Sequence, residues 1–132
     1  MTKVVDQISV FLEHKPGKLA DFCGILQRAG VDMKALSLAK ATDYGVARVI
    51  VDKLDVAQEA LRAAGQIFSI TQVIGVELKD EVGSLYKLLE VLKDANINIK
   101  YCYAVTKNRD NKAHMIIRVS QEDIDRTLEL LK

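Results

Sequence analysis

The chain has 132 residues, 49% of them hydrophobic and 28% charged, with a formal net charge of +1. This is the composition of an ordinary globular domain, and so even a charge balance gives no footing for electrostatic binding to nucleic acid or an anionic membrane. No apolar run approaches a membrane span. The opening stretch MTKVVDQISVFLEHK lacks a signal-peptide h-region, so the expected location is the cytoplasm. Cys23 and Cys102 lie far apart and form no CxxC pair, and with only His14 and His114 beside them nothing proposes a disulfide, a metal site or a cofactor.

In chain order, Ile8, Val10 and Leu12 alternate with Ser9, Phe11 and Glu13, the pattern of a half-buried strand. Pro16-Gly17 breaks it. Leu19, Phe22, Cys23, Leu26 and Ala29 recur at helical spacing, and Gly30 ends that helix as a C-cap glycine. Residues 32–41 read as a second strand, Thr42-Asp43-Tyr44-Gly45 as a turn, and Val46 to Val51 as a β-branched third strand. Val56, Ala57, Ala60, Leu61 and Ala64 mark a second helix closed by Gly65, and Ile67 to Val73 reads as a fourth strand. Then the pattern starts again. Ile74, Val76 and Leu78 alternate, Leu85, Leu88, Leu89, Leu92 and Ala95 form a helical stripe, and residues 97–106 and 113–119 make a hairpin around 107–112. Ile124, Leu128 and Leu131 face the core from a last helix. Cys23 and Cys102 both read as core residues.

The recurrence is a duplication. With Ile8 laid over Ile74, Gly17 meets Gly83, Leu26 meets Leu92 and Lys34 meets Lys100; after a two-residue insertion GVARVIV lies over AHMIIRV. Each copy reads strand, helix, two strands, helix, strand, the split βαβ pattern. The expected fold is therefore α+β: two tandem ferredoxin-like βαββαβ modules, antiparallel sheets with helices on one face, over residues 1–73 and 74–132. The second module reads as lacking its last strand. Its open edge predicts a homodimer in which Ile74 to Leu78, or the long first strand Val4 to Leu12, pairs across subunits.

The motif Glu13-His14-Lys15-Pro16-Gly17-Lys18-Leu19, followed by Gly30-Val31-Asp32-Met33, resembles the ACT domain, a regulatory module that commonly binds amino acids. Lys79-Asp80-Glu81-Val82-Gly83-Ser84-Leu85 and Asn96-Ile97-Asn98-Ile99 repeat it in the second copy, with Val82 where the first has Pro16. Nearly the whole chain is similar to the stand-alone tandem ACT proteins. The resemblance implies a ligand at the loop between first strand and first helix and at the opening of the second strand. Carried over by position, the candidate residues are His14, Pro16, Gly17, Lys18, Leu19 and Asp32 in copy one, and Asp80, Gly83, Ser84, Leu85 and Asn98 in copy two.

The chemistry of the glycines has two readings. A glycine where a strand turns into a helix lets a ligand carboxylate approach the backbone beside free N–H groups, or it merely makes the turn. Asp32 and Asn98 have a second reading as strand-start residues bonding their own backbone, and His14 has one as a solvated loop residue. The expected function is a regulatory protein binding an amino acid or similar small metabolite. The alternatives are an interaction-only ACT protein without ligand and a small ferredoxin-like enzyme. Against the enzyme stands the lack of any Ser/His/Asp or Cys/His arrangement or phosphate-cradling run. An RNA-binding sheet is disfavoured because GVARVIV and AHMIIRV carry no stacking aromatics.

Overall fold

The computed structural model describes residues 2–40, 43–105 and 112–132. They form six strands and four helices: β1 (Thr2–Glu13), α1 (Lys18–Arg28), β2 (Met33–Lys40), β3 (Tyr44–Val51), α2 (Leu54–Ala63), β4 (Phe68–Lys79), α3 (Ser84–Asp94), β5 (Tyr101–Ala104), β6 (Lys112–Arg118) and α4 (Ile124–Leu130). A short 3-10 turn, Gln121–Asp123, leads into α4. Thr42, in the expected turn before β3, and the expected loop at 107–111 lie outside the described residues, as does Thr106. No described helix is long and apolar enough to cross a membrane.

The helix ends follow from local chemistry. Gly30 takes a positive φ of 73°, its N–H donates to Gln27 O, and the N–H of Val31 donates to Leu26 O at 3.0 Å. This pair of bonds is the Schellman cap, which needs a left-handed residue. Gly65 ends α2 the same way. Asn96 ends α3 with a φ of 58° and the matching bonds to Lys93 O and Leu92 O. Asn96 stands where the first copy has Gly30, and asparagine is the non-glycine residue that best tolerates this conformation.

The chain forms two compact units, Gln7–Thr71 and Met1–Asp6 with Gln72–Lys132. In the first, β3 pairs antiparallel with both β1 and β2, and the strand order is β2-β3-β1 followed by the start of β4. Ile8, Val10 and Leu12 of β1 meet Phe22 and Leu26 of α1, Ala47 and Val49 of β3, and Ala57 and Leu61 of α2 in one core. The buried amide of Gln7 donates to the Ser9 hydroxyl at 3.1 Å, so this polar pair is satisfied.

In the second unit β6 pairs antiparallel with β4 and β5, and the order is β5-β6-β4 followed by the start of β1. Ile74, Val76, Leu88, Leu92, Ile97, Ile117, Val119 and Ile124 form its core. Among the described residues no strand follows α4. The place beside β4 is taken instead by Thr2–Asp6, whose Val5 side chain lies against Gly75. Thr2 Oγ1 donates to Leu131 O at 3.0 Å. Each unit thus has the ferredoxin-like strand order. The compact units divide between Thr71 and Gln72, and the first residues belong with the second copy.

Three other expectations change. The fourth strand and the strand opening the second copy are one continuous element, β4, because Gly75 within FSITQVIGVELK takes no positive φ and makes no turn. Neither Val4 to Leu12 nor Ile74 to Leu78 offers a free edge for pairing across subunits: β1 is flanked by β3 and β4, and β4 by β1 and β6. The free edges are β2 and β5. Cys102 is exposed on the edge strand β5, whereas Cys23 packs against the first core.

Candidate functional site

The site is built on Gly17. After Glu13 the chain turns through a Lys15 N–H to Glu13 O bond of 2.9 Å, and Gly17 then adopts φ 87°, ψ −10° as the N-cap of α1. Its carbonyl accepts the first helical bond, from Asp21 N–H at 2.9 Å. The Lys18 N–H donates back to Lys15 O at 3.4 Å. Gly17 contributes no side-chain cap, so the N–H groups of Leu19 and Ala20 are left for water or a ligand. A Cβ on Gly17 would meet nothing within 4 Å. Glycine is therefore required by the backbone conformation, and the space above it is open.

Gly83 repeats the geometry with φ 89°, ψ −5°, a Glu81 N–H to Lys79 O bond of 2.9 Å and a Lys87 N–H to Gly83 O bond of 3.0 Å. Val82 in place of Pro16 leaves the turn unchanged, because the left-handed glycine rather than the proline shapes it.

Beside Gly17 lies a cleft of about 430 Å³. Leu12, Leu19, Leu38, Ala39 and Gly45 form its apolar part, and Glu13, His14, Lys15, Pro16, Lys18 and Lys40 its polar rim. Glu13 lies 3.0 Å from Lys15 Nζ and 4.0 Å from Lys18 Nζ. The hydrogen bond and charge of Lys15, then the charge of Lys18, hold the Glu13 carboxyl below the usual carboxylate range. The rim is cationic on balance, with three lysines against one glutamate. Among the described residues no serine, threonine or cysteine lines it.

His14, Pro16, Lys18 and Leu19 thus come together, but Asp32 does not join them. β1 and β2 both run antiparallel to β3, so they point the same way, and α1 returns the chain between them. Asp32 precedes β2 at the far end of α1, whose 11 residues span roughly 16 Å. It lines a separate hollow of about 350 Å³ with Cys23, Gln27, Gly30, Val31 and Met33. Its N–H donates to Asp52 Oδ1 at 3.0 Å, and its carbonyl accepts from Asp52 N–H at 3.2 Å. Burial pushes the Cys23 thiol up from its ordinary value. What the Gly17 loop meets is the end of β2 and the start of β3: Leu38, Ala39, Lys40 and Gly45. Sequence reasoning missed these four. The signal was available in the βαββ topology, which brings the end of the second strand to the end of the first.

In the second copy, Asp80 and Leu85 are exposed at the Gly83 loop, and Ser84 is half-buried. Asn98 is exposed at the other end of α3, as Asp32 is at the far end of α1.

Fold and loop together define a tandem of ferredoxin-like modules, each with a left-handed glycine opening the helix after its first strand. The family model of the ACT domain pair matches residues 1–132, and the chain belongs to that family. Protein BT0572 from Bacteroides thetaiotaomicron is similar at 32% identity with a TM-score of 0.88, covering 98% of this chain and 88% of its own. The ligand-free regulatory subunit of aspartate kinase from Thermus thermophilus shares the fold at 13% identity and a TM-score of 0.68, over 99% of this chain and 95% of that one. The regulatory subunit of aspartate kinase from Thermus flavus does so at 17% identity and 0.64, over 98% and 94%. Comparison with curated proteins gives no match.

Proposed function

We propose that this chain is a regulatory protein that binds an amino acid or similar small metabolite at the Gly17 loop. The observation that carries the reading is the 430 Å³ cleft, in which an uncapped helix start and three lysines surround an apolar interior. Such a site attracts a carboxylate and shelters an apolar body. Membership of the ACT domain family supports it, and the two Thermus proteins of the same fold are regulatory subunits.

Regulation would work by population shift: a ligand that binds one arrangement of chains better favours it by its differential affinity. Asp32 lies too far from Gly17 to touch the same small ligand within one module. Its contribution would come from a second copy of the chain, associating through the free β2 or β5 edge, and would tie binding to a homodimer. A second reading applies to copy two. Val82 is wholly exposed and Tyr86 is 66% exposed at its loop, which favours association over ligand binding there.

Thermal unfolding of the full chain in the presence of each of the twenty amino acids tests the proposal. A ligand at a hundredfold over its Kd stabilises by about 2.7 kcal/mol, a shift of a few degrees in the midpoint. No shift with any of the twenty would remove the ligand and leave an interaction protein.

A further inference from the structure

The two copies offer an internal comparison that bears on what the cleft takes. This inference rests on the ligand reading above and deepens it. Along the loop, the first copy presents Glu13, His14, Lys15 and Lys18 where the second presents Lys79, Asp80, Glu81 and Ser84. The first rim is cationic and the second anionic on balance. The strand floor differs as well. In the first copy Leu12 pairs with Gly45, and in the second Leu78 pairs with Ala113. Leu38 pairs with Ala47, where the second copy pairs Ala104 with Met115. Small β3 residues in the first copy are thus replaced by larger β6 residues in the second.

Gly45 has no positive φ and is not needed for a turn. A Cβ there would sit 3.5 Å from Leu38 Cδ1 and 3.6 Å from Ala39 O, ordinary contacts, so the position tolerates a side chain. Glycine at this strand position forgoes packing and β propensity, and what it leaves is depth in the cleft. Leu38 lies on the same face of β2 as Leu36, which packs against the core, yet Leu38 is 54% exposed. It lines the cleft with about half of its apolar side chain open to solvent.

We infer that the Gly17 cleft is selective for a monocarboxylate with an apolar side chain, of the leucine kind, and that Gly45 and Leu38 set the size of the side chain it accepts. The carboxylate sits at the Gly17 loop among Lys15, Lys18 and Lys40. The apolar body rests over Gly45 against Leu38 and Leu12. A cationic side chain is excluded by the lysines, because Glu13, the one acidic group in the cleft, is already engaged by Lys15 and Lys18.

The test is calorimetric titration of the full chain with L-leucine, L-alanine, L-phenylalanine, L-lysine and L-aspartate. Leucine is expected to bind more tightly than lysine or aspartate by about tenfold or more, as a few buried methylene groups allow. In Gly45→Val, leucine affinity falls about tenfold while alanine affinity holds, and thermal unfolding without ligand confirms that the variant folds. Leu38→Ala, at an exposed side chain, moves preference from leucine towards phenylalanine. Preference for lysine or aspartate, or leucine binding indifferent to both substitutions, overturns this inference and leaves ligand binding itself standing. Absence of binding by all five, together with no thermal shift from any of the twenty, removes the parent reading as well.

Discussion

The hydroxyl of Thr2 donates a 3.0 Å hydrogen bond to the carbonyl of Leu131, joining the first strand to the residue that closes the last helix, 129 positions along the chain. The bond accompanies a strand, Thr2–Asp6, that lies in the compact unit of the second copy. The second copy is completed by the start of the chain.

Removing residues 1–6 should therefore damage the second copy rather than the first. At about 1 kcal/mol for each ladder hydrogen bond lost, the cost is on the order of 2–5 kcal/mol. Hydrogen exchange should show lost protection at Ile74 to Leu78, with Val46 to Val51 unaffected. Equal loss in both regions would contradict the placement of this strand.

The contact between Val5 and Gly75 gives a sharper probe of the same placement. A Cβ on Gly75 would lie 3.2 Å from Val5 Cγ2, tighter than the pair tolerates without movement. Gly75→Val should destabilise by about 1–3 kcal/mol through overpacking. Adding Val5→Ala should recover part of that, a coupling that a double-mutant cycle by urea unfolding measures. Strict additivity would place the two residues apart.

Gly17 and Gly83 share a left-handed conformation, with φ of 87° and 89°. Alanine at either position should cost roughly 1–2 kcal/mol, and the cost should be similar despite Pro16 in one loop and Val82 in the other. Ligand-induced thermal shift separates them: Gly17→Ala should lose it and Gly83→Ala should keep it.

Acid sensitivity should centre on Glu77, whose carboxylate lies 2.6 Å from Lys112 Nζ. The Lys112 hydrogen bond is the largest cause that lowers its pKa from 4.5 to about 2. A carboxyl lowered on folding contributes stability above its unfolded pKa and loses it as pH falls through the folded one. The contribution is thus present at pH 7 and fades from about pH 4.5 down to about pH 2. Urea unfolding of the wild type and Glu77→Gln should differ most at pH 7 and draw closer, without yet converging, at pH 3.

Local and periodic features were legible in the sequence. The alternation of Ile8, Val10 and Leu12, the stripe through Phe22 and Leu26, and the glycines at 17, 30, 65 and 83 are short-range signals. Each reports a backbone conformation or a buried face that the residue itself imposes. The duplication followed because those signals recur in register, and with it the ACT resemblance and the loop of His14, Gly17 and Lys18. The tertiary structure decided what depends on pairing between residues distant in sequence. It gave Thr2–Asp6 to the second copy, because an edge of β4 was open and the first strand is long enough to reach it. It merged two expected strands into β4, and exposed Cys102 at a sheet edge. It also parted Asp32 from Gly17 and brought Leu38, Lys40 and Gly45 to the cleft, because parallel strands end on the same side of a sheet whatever lies between them in the chain.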